Sequence, residues 1–132
     1  MKSDEIIFLD VEDVIEIHTI AIEKYGGQAG IRDRNLLNSA TYQPQQTFDG
    51  DLLASSIEMM AGTYAYHLAE NQPFIDGNKR TAFASSIVFL KLNGWSIKAN
   101  NNEVHQLFID LAKKEITKDD LIQWYKNKII TL

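Results

Sequence analysis

Two long apolar segments with helical periodicity are separated by one short polar stretch, residues 71–81, Asn-Gln-Pro-Phe-Ile-Asp-Gly-Asn-Lys-Arg-Thr. Pro73 disfavours a helical conformation of the residue before it and cannot donate to the helical hydrogen-bond ladder, so the first helix is predicted to end there. Gly77 can adopt a backbone conformation that is closed to most residues, and a second helix is predicted to begin at about Asn78. The stretch therefore predicts a tight connection between two helices.

The start of this second helix has the properties of an anion-binding site. Gly77 and Asn78 would present backbone N–H groups at the partially positive end of the helix, and Lys79 and Arg80 add two cations. Cations at a helix start oppose the helix dipole at a cost of about a few tenths of a kcal/mol each, so a bound phosphate is the simplest reason for their presence. Asp76 lies beside them as a candidate ligand for Mg²⁺.

An ordinary turn is the alternative interpretation of the same residues. Asp-Gly and Gly-Asn pairs are common turn sequences, and a turn between two helices needs no function. A plain turn, however, would place Asp or Glu where this chain has Lys79 and Arg80. Phe74 is predicted to be buried beneath the loop and, together with Pro73, to anchor the backbone that would hold the phosphate.

The composition is typical of one globular domain spanning residues 1–132, with 45% hydrophobic residues. No apolar run is long enough to cross a bilayer, no secretory leader is recognisable, and the lack of cysteine fits a reducing cytoplasm. The net charge of −5, from 13 basic and 18 acidic residues, disfavours a general nucleic-acid binder. We therefore expect a cytoplasmic protein without a membrane segment and without a direct nucleic-acid partner.

Apolar periodicity and capping residues predict an all-α bundle of about six helices with one small flap or hairpin. Four of the predicted helices begin at the capping residues Asp10, Asp33, Asn102 and Thr117. The other two extend from Asp51 to about Asn71 and from about Asn78 to Leu92. Residues 26–34 are rich in glycine and predict an irregular loop or a small hairpin. Residues 95–97 predict a short strand, and Ile129 is predicted to face inward from the last helix.

The histidines are interpreted by position. His18 lies within the first predicted helix and is expected to be structural, and His105 is expected at the surface. His67 lies on the long helix, five residues before Gln72. The Met59-Met60 pair is expected to fill the core and not to bind a ligand.

From Pro73 to Arg80 the chain resembles the signature loop of the Fic/Doc family, His-Pro-Phe-x-Asp/Glu-Gly-Asn-Lys/Gly-Arg. Gln72 stands where the family has its catalytic His. The resemblance extends from about residue 9 to about residue 124, including Tyr-Gly-Gly at 25–27 and Gly-Ile-Arg-Asp at 30–33. It implies a compact Fic/Doc-like helical bundle.

The resemblance also implies a chemistry. Fic proteins transfer part of a nucleotide, most often an adenylyl group, to a protein hydroxyl. Doc proteins transfer the terminal phosphate of ATP, act as toxins of bacterial toxin–antitoxin pairs, and target elongation factor Tu. By position, Asp76 would hold Mg²⁺, Gly77 and Asn78 would form the anion cradle, and Lys79 and Arg80 would neutralise phosphates. The short chain and Lys79, where adenylylating members usually carry Gly, favour the Doc branch.

Two partners follow from the same resemblance. In the Doc family the tail of the antitoxin folds as a helix over the active-site groove. In the wider family a flap aligns the target protein by strand-like pairing, which here would use Gly30, Ile31, Arg32 and Asp33. A flexible connector is the alternative for residues 28–34.

Gln72 leaves the activity open, because a glutamine amide is not basic near pH 7 and can only orient a hydroxyl. It could be an engineered inactivation, it could mark a natural pseudoenzyme that binds a nucleotide or an antitoxin, or another base such as His67 could replace the missing His. A partial match to the family's inhibitory motif at residues 19–23 is followed by Lys24, not Gly or Asn. A purely structural helical domain is the remaining alternative.

Overall fold

The computed structural model describes residues 5–132. It contains six α-helices, α1 (Val11–Tyr25), α2 (Arg34–Tyr42), α3 (Ile57–Asn71), α4 (Asn78–Leu92), α5 (Asn101–Ala112) and α6 (Lys118–Lys128). β1 (Thr47–Phe48) and β2 (Asp51–Leu52) form a short antiparallel hairpin. β3 (Trp95–Ile97) pairs antiparallel with β4 (Ile129–Thr131), which follows α5 and α6, and a 3₁₀ turn occupies Gln43–Gln45. The predicted all-α bundle with a small hairpin is confirmed.

Helix α3 lies at the centre, packed between α4, α6 and α2. Most of its residues are buried, which fits a helix that is apolar nearly all round. Small residues let its neighbours approach closely: a methyl group added at Gly62 would lie 2.8 Å from Ile122 Cγ1 and 3.1 Å from Ile122 Cα. Helix α3 therefore packs closely against α6, and α3 and α4 pack against each other on either side of the loop that joins them.

The caps of three helices agree with their sequence signals. Asp10 and Asp13 form a reciprocal capping box at α1, and Thr117 and Asp120 form another at α6. Asp33 accepts a hydrogen bond from Leu36 N–H and caps α2. Each of these caps is a short-range pattern of side chain and backbone, which is why the sequence reveals it.

The predicted start of the long helix at Asp51 is wrong. Asp51 and Leu52 form β2, because Asp49 and Gly50 adopt positive φ angles of 55° and 86° and turn the chain into a hairpin. The helix begins at Ile57, where the Ser56 hydroxyl accepts a hydrogen bond from Met59 N–H.

Two smaller expectations about the C-terminal part are also corrected. Helix α5 is capped by Asn100 and not by Asn102. Ile129 opens β4 after α6 has ended, and it pairs with Ile97 of β3. The short strand at residues 95–97 is confirmed, and its partner is the end of the chain.

None of the helices found between residues 5 and 132 has the length and apolarity needed to cross a membrane.

Candidate active site

The loop between α3 and α4 has the backbone that its sequence predicts. Helix α3 ends at Asn71, and Gly77 adopts a left-handed conformation (φ 74°, ψ 21°) immediately before α4. Gln72 is also left-handed, with φ 47° and ψ 57°. For a residue with a side chain this conformation costs about 1 to 3 kcal/mol, and it persists only where the surroundings hold it in place.

Phe74 anchors the loop as predicted, with 1% of its surface exposed. Its ring lies flat on the buried imidazole of His18, with centroids 3.8 Å apart and planes 4° apart. His18 Nε2 donates a hydrogen bond of 2.8 Å to the Asp76 carbonyl. His18 is therefore structural, as expected, and it stabilises the loop between α3 and α4.

The Asn78 side chain forms its hydrogen bonds within the loop. Its Oδ1 accepts from Phe74 N–H at 2.9 Å, and its Nδ2 donates to the Phe74 carbonyl at 3.0 Å. These two bonds close a tight turn around the buried aromatic ring. In the proposed anion cradle, Asn78 would therefore contribute its backbone N–H and not its amide side chain.

Helix α4 has an open N-terminus. Within residues 5–132 the other five α-helices are capped by side chains, whereas α4 begins at Gly77 without one. The first acceptor in its ladder is the Gly77 carbonyl, which takes the N–H of Thr81. The N–H groups of the first turn, at residues 78–80, have no acceptor in the described part of the chain. The partially positive end of the helix is thus available to an anion.

This helix end faces a groove of about 620 Å³, a size typical of small-molecule sites. The groove brings together the predicted charged residues Asp76, Lys79 and Arg80, and Gln72 also lines it. An apolar wall comes from α3 and α5, with an ion pair between Glu70 and Lys114 at its edge. The apolar lining residues on that wall are Ala69, Phe108, Leu111 and Ala112.

Tyr25 contributes to the candidate site through a contact with Arg80 that the sequence did not reveal. It is an exposed aromatic residue, with 56% of its surface accessible. The guanidinium carbon of Arg80 lies 4.2 Å from the centre of this ring, which is a cation–π contact. The contact holds Arg80 beside the groove, and no short-range pattern could predict it, since the two residues are far apart in sequence.

The Asp76 carboxylate is oriented by two backbone donors, Gly77 N–H to Oδ1 at 2.9 Å and Gln28 N–H to Oδ2 at 3.1 Å. A methyl group added at Gly27 would lie 2.9 Å from Oδ2, so glycine is needed there for the close approach. Within residues 5–132 no cluster of three or more acidic, His or Cys side chains could hold a metal. The arrangement fits Mg²⁺, which proteins usually bind with one or two carboxylates, substrate phosphates and water.

Residues 30–33 are tied to the loop by a short antiparallel bridge between Ile31 and Phe74. Ile75 N–H donates to the Gly30 carbonyl at 3.0 Å, and the N–H groups of Arg32 and Asp33 donate to the Pro73 carbonyl at 2.7 and 3.0 Å. The segment is therefore held in a defined conformation, unlike a flexible connector. The backbone groups of Ile31 itself point to the opposite edge, as alternation in an antiparallel pair requires.

His67 does not line the groove. Its Nε2 lies 3.1 Å from the ammonium of Lys118 on α6. Burial, followed by the charge of Lys118, lowers the pKa of His67 to about 4. His67 is therefore neutral at pH 7 and accepts a hydrogen bond away from the site, which argues against it as a substitute base.

Comparisons with known proteins agree with this geometry. A model of the Fic/DOC family matches residues 8–90, which include the whole loop. The chain is 38% identical over 116 residues to "Toxin Doc" of Mycolicibacterium smegmatis, covering 86% of this chain and 87% of that protein. It is 30% identical over 106 residues to "Protein kinase doc" of Escherichia phage P1, covering 80% and 82%. The open start of α4, the loop that precedes it and these matches together place the chain in the Fic/DOC family.

Proposed function

We propose that the chain is a Doc-like toxin of a toxin–antitoxin pair whose site transfers the terminal phosphate of ATP to a hydroxyl of a target protein. One observation carries this proposal: the uncapped start of α4 opens into the same groove as Asp76, Lys79 and Arg80. The similarity to proteins named "Toxin Doc" and "Protein kinase doc" supports the same conclusion. Elongation factor Tu, in the cytoplasm, is the target that the family suggests.

The residues of the groove have distinct parts in this reaction. The free N–H groups at the start of α4 bind phosphate oxygens, and Lys79 and Arg80 neutralise their charge. Asp76 would hold Mg²⁺, which would neutralise part of the phosphate charge when bound. The target oxygen forms a bond to the terminal phosphorus while the bond to the bridging oxygen breaks, and ADP leaves. Phosphoryl transfer needs mainly such positioning and charge stabilisation.

Gln72 limits this activity. Its side chain lines the groove and can orient the attacking hydroxyl, but it cannot accept the hydroxyl proton near pH 7. The proton is then lost to solvent. Absence of a general base typically lowers a rate by about 10²- to 10⁴-fold. A loose transition state, in which little proton removal is needed early, favours the lower end of that range.

The test is a comparison of this chain with its Gln72→His variant. The variant is expected to arrest growth and to label a cytoplasmic protein from ATP carrying label in the terminal phosphate. Transfer from ATP labelled in the α-phosphate instead would identify an adenylyltransferase of the Fic type. If the His variant neither arrests growth nor labels any protein, the toxin proposal is wrong.

A binding module without catalysis is the second candidate, and Gln72 is the observation that favours it. Such a module would bind Mg·ATP or the helical tail of an antitoxin in the groove, against the apolar wall formed by α3 and α5. Calorimetry with Mg·ATP and with a peptide of the antitoxin encoded next to this chain would measure both. Binding without turnover, even in the Gln72→His variant, supports the module.

Docking of the target protein at Gly30, Ile31, Arg32 and Asp33 is proposed for the edge that faces away from Phe74. The opposite edge is occupied by the signature loop, so an incoming strand could pair only with the backbone groups of Ile31. N-methylation of the Ile31 amide in a semisynthetic Gln72→His chain should abolish labelling of the target. Unchanged labelling would exclude docking at this edge.

A further inference from the structure

Arg32 donates hydrogen bonds to three successive carbonyls where α3 ends and the signature loop begins. Its Nε donates to the Gln72 carbonyl at 2.7 Å, its Nη2 donates to the Asn71 carbonyl at 2.8 Å, and its backbone N–H donates to the Pro73 carbonyl at 2.7 Å. One residue from a distant segment thus holds the whole turn at which α3 ends. We propose that Arg32 is a positioning residue that fixes the backbone at position 72 and, through it, the side chain that meets the attacking hydroxyl. This inference rests on the proposed function.

The end of α3 needs such support. The last carbonyls of a helix have no partner inside the helix, and they form its partially negative end. The last turn of α3 contains no basic residue, and its left-handed terminal position is taken by Gln72, not by the glycine that usually stabilises this conformation. The Arg32 guanidinium supplies both the missing charge and two donors with fixed geometry.

Arg32 contacts backbone carbonyls and lies outside the lining of the proposed phosphate site. It does not line the groove, whereas Lys79 and Arg80 do. Removing its guanidinium should therefore disturb the side chain at position 72 without removing a phosphate ligand. The expected kinetic signature is a lower kcat with an unchanged KM for ATP.

Arg32→Lys tests the contribution of the guanidinium group alone. The variant retains the charge and the backbone bond to Pro73, but a lysine cannot donate two bonds with the geometry of the guanidinium fork. Arg34→Lys is the matched control, because Arg34 is an exposed neighbour whose guanidinium has Glu12, also exposed, as its one side-chain partner within residues 5–132. Both substitutions are made in the present chain and in the Gln72→His background.

Two measurements test the proposal. The first is hydrogen exchange of the Phe74 and Ile75 amides, which donate to the Asn78 side chain and to the Gly30 carbonyl. Arg32→Lys should accelerate this exchange several-fold, and Arg34→Lys should not. The second is phosphate transfer in the Gln72→His background, where Arg32→Lys should lower kcat about 10-fold, as expected for a misplaced reacting group, with KM for ATP unchanged.

The outcomes separate this inference from the proposed function. If Gln72→His is inactive, the proposed function fails, while faster loop exchange in Arg32→Lys still supports the positioning role. Unchanged exchange in Arg32→Lys overturns that role whether or not the chain is active. A raised KM for ATP with unchanged kcat also overturns it, since Arg32 would then contribute to nucleotide binding.

Discussion

The imidazole of His18 lies flat against the ring of Phe74, 3.8 Å between centroids, and the same imidazole donates a hydrogen bond to the Asp76 carbonyl. A residue of α1 thus holds both the buried anchor of the loop and the backbone of the proposed magnesium ligand. The position of Asp76 relative to the start of α4 depends on a contact between segments that are remote in sequence.

His18→Ala should lower the free energy of unfolding by about 2 to 4 kcal/mol, because it leaves a cavity against Phe74 and removes a buried hydrogen bond. Urea denaturation followed by circular dichroism measures the loss. His105→Ala is the control, since His105 is exposed on α5 and its removal should change stability by less than about 0.5 kcal/mol. Equal effects of the two substitutions would contradict the supporting role of His18.

Tyr25→Leu should weaken binding of Mg·ATP, because Arg80 loses the ring on which its guanidinium lies. An exposed cation–π contact contributes about 0.5 to 1 kcal/mol, so the dissociation constant should rise about two- to fivefold. Tyr25→Phe keeps the ring and should bind like the parent chain. Calorimetry measures all three proteins, and a loss in the Phe variant equal to that in the Leu variant would point to the hydroxyl instead.

Asp76→Asn should abolish the part of the ATP affinity that depends on Mg²⁺, because a neutral amide is a poor ligand for this cation. ATP binding in EDTA should stay equal or become slightly tighter, since a negative charge is removed next to the phosphates. Asp119→Asn, on the exposed start of α6, is the control. A titration with Mg²⁺ at fixed ATP distinguishes the two variants, and an unchanged Mg²⁺ dependence in Asp76→Asn excludes this residue as the metal ligand.

Stability should fall as the pH drops from about 6.5 towards about 4, because burial and Lys118 lower the pKa of His67 to about 4 in the folded chain. In this window the unfolded chain binds a proton at His67 that the folded chain does not, which favours unfolding. The partly exposed position of His67 reduces its contribution to roughly 1 to 2 kcal/mol.

His67→Gln isolates this contribution from that of the carboxylates, which also titrate at low pH. As the pH falls from 7 to 4.5, the parent chain should lose more unfolding free energy than the His67→Gln variant, as measured by urea denaturation. His105→Gln should show no such change. A difference that is constant with pH would show that His67 titrates alike in both states.

The caps of α1, α2 and α6 and the turn before α4 were predictable because they depend on residues that are close in sequence. Pro73 ends a helix through its own ring, Gly77 permits a positive φ, and Asp10 bonds to an N–H three residues away. The start of α3 was misplaced because Asp51 resembles a cap in isolation. The hairpin turn at Asp49-Gly50, and not the identity of Asp51, decides its conformation.

The sequence by itself determined which residues form the loop, that two cations stand at the start of α4, and that a glutamine precedes Pro73, where the family resemblance predicts a histidine. Only the tertiary structure decided what holds that loop: His18 beneath Phe74, Arg32 on the carbonyls at the end of α3, and Tyr25 against Arg80. The physical reason is the range of the interactions. Backbone preferences and caps act within one helical turn, whereas stacking and hydrogen bonding between α1, residues 30–33 and the loop exist only after the helices have packed.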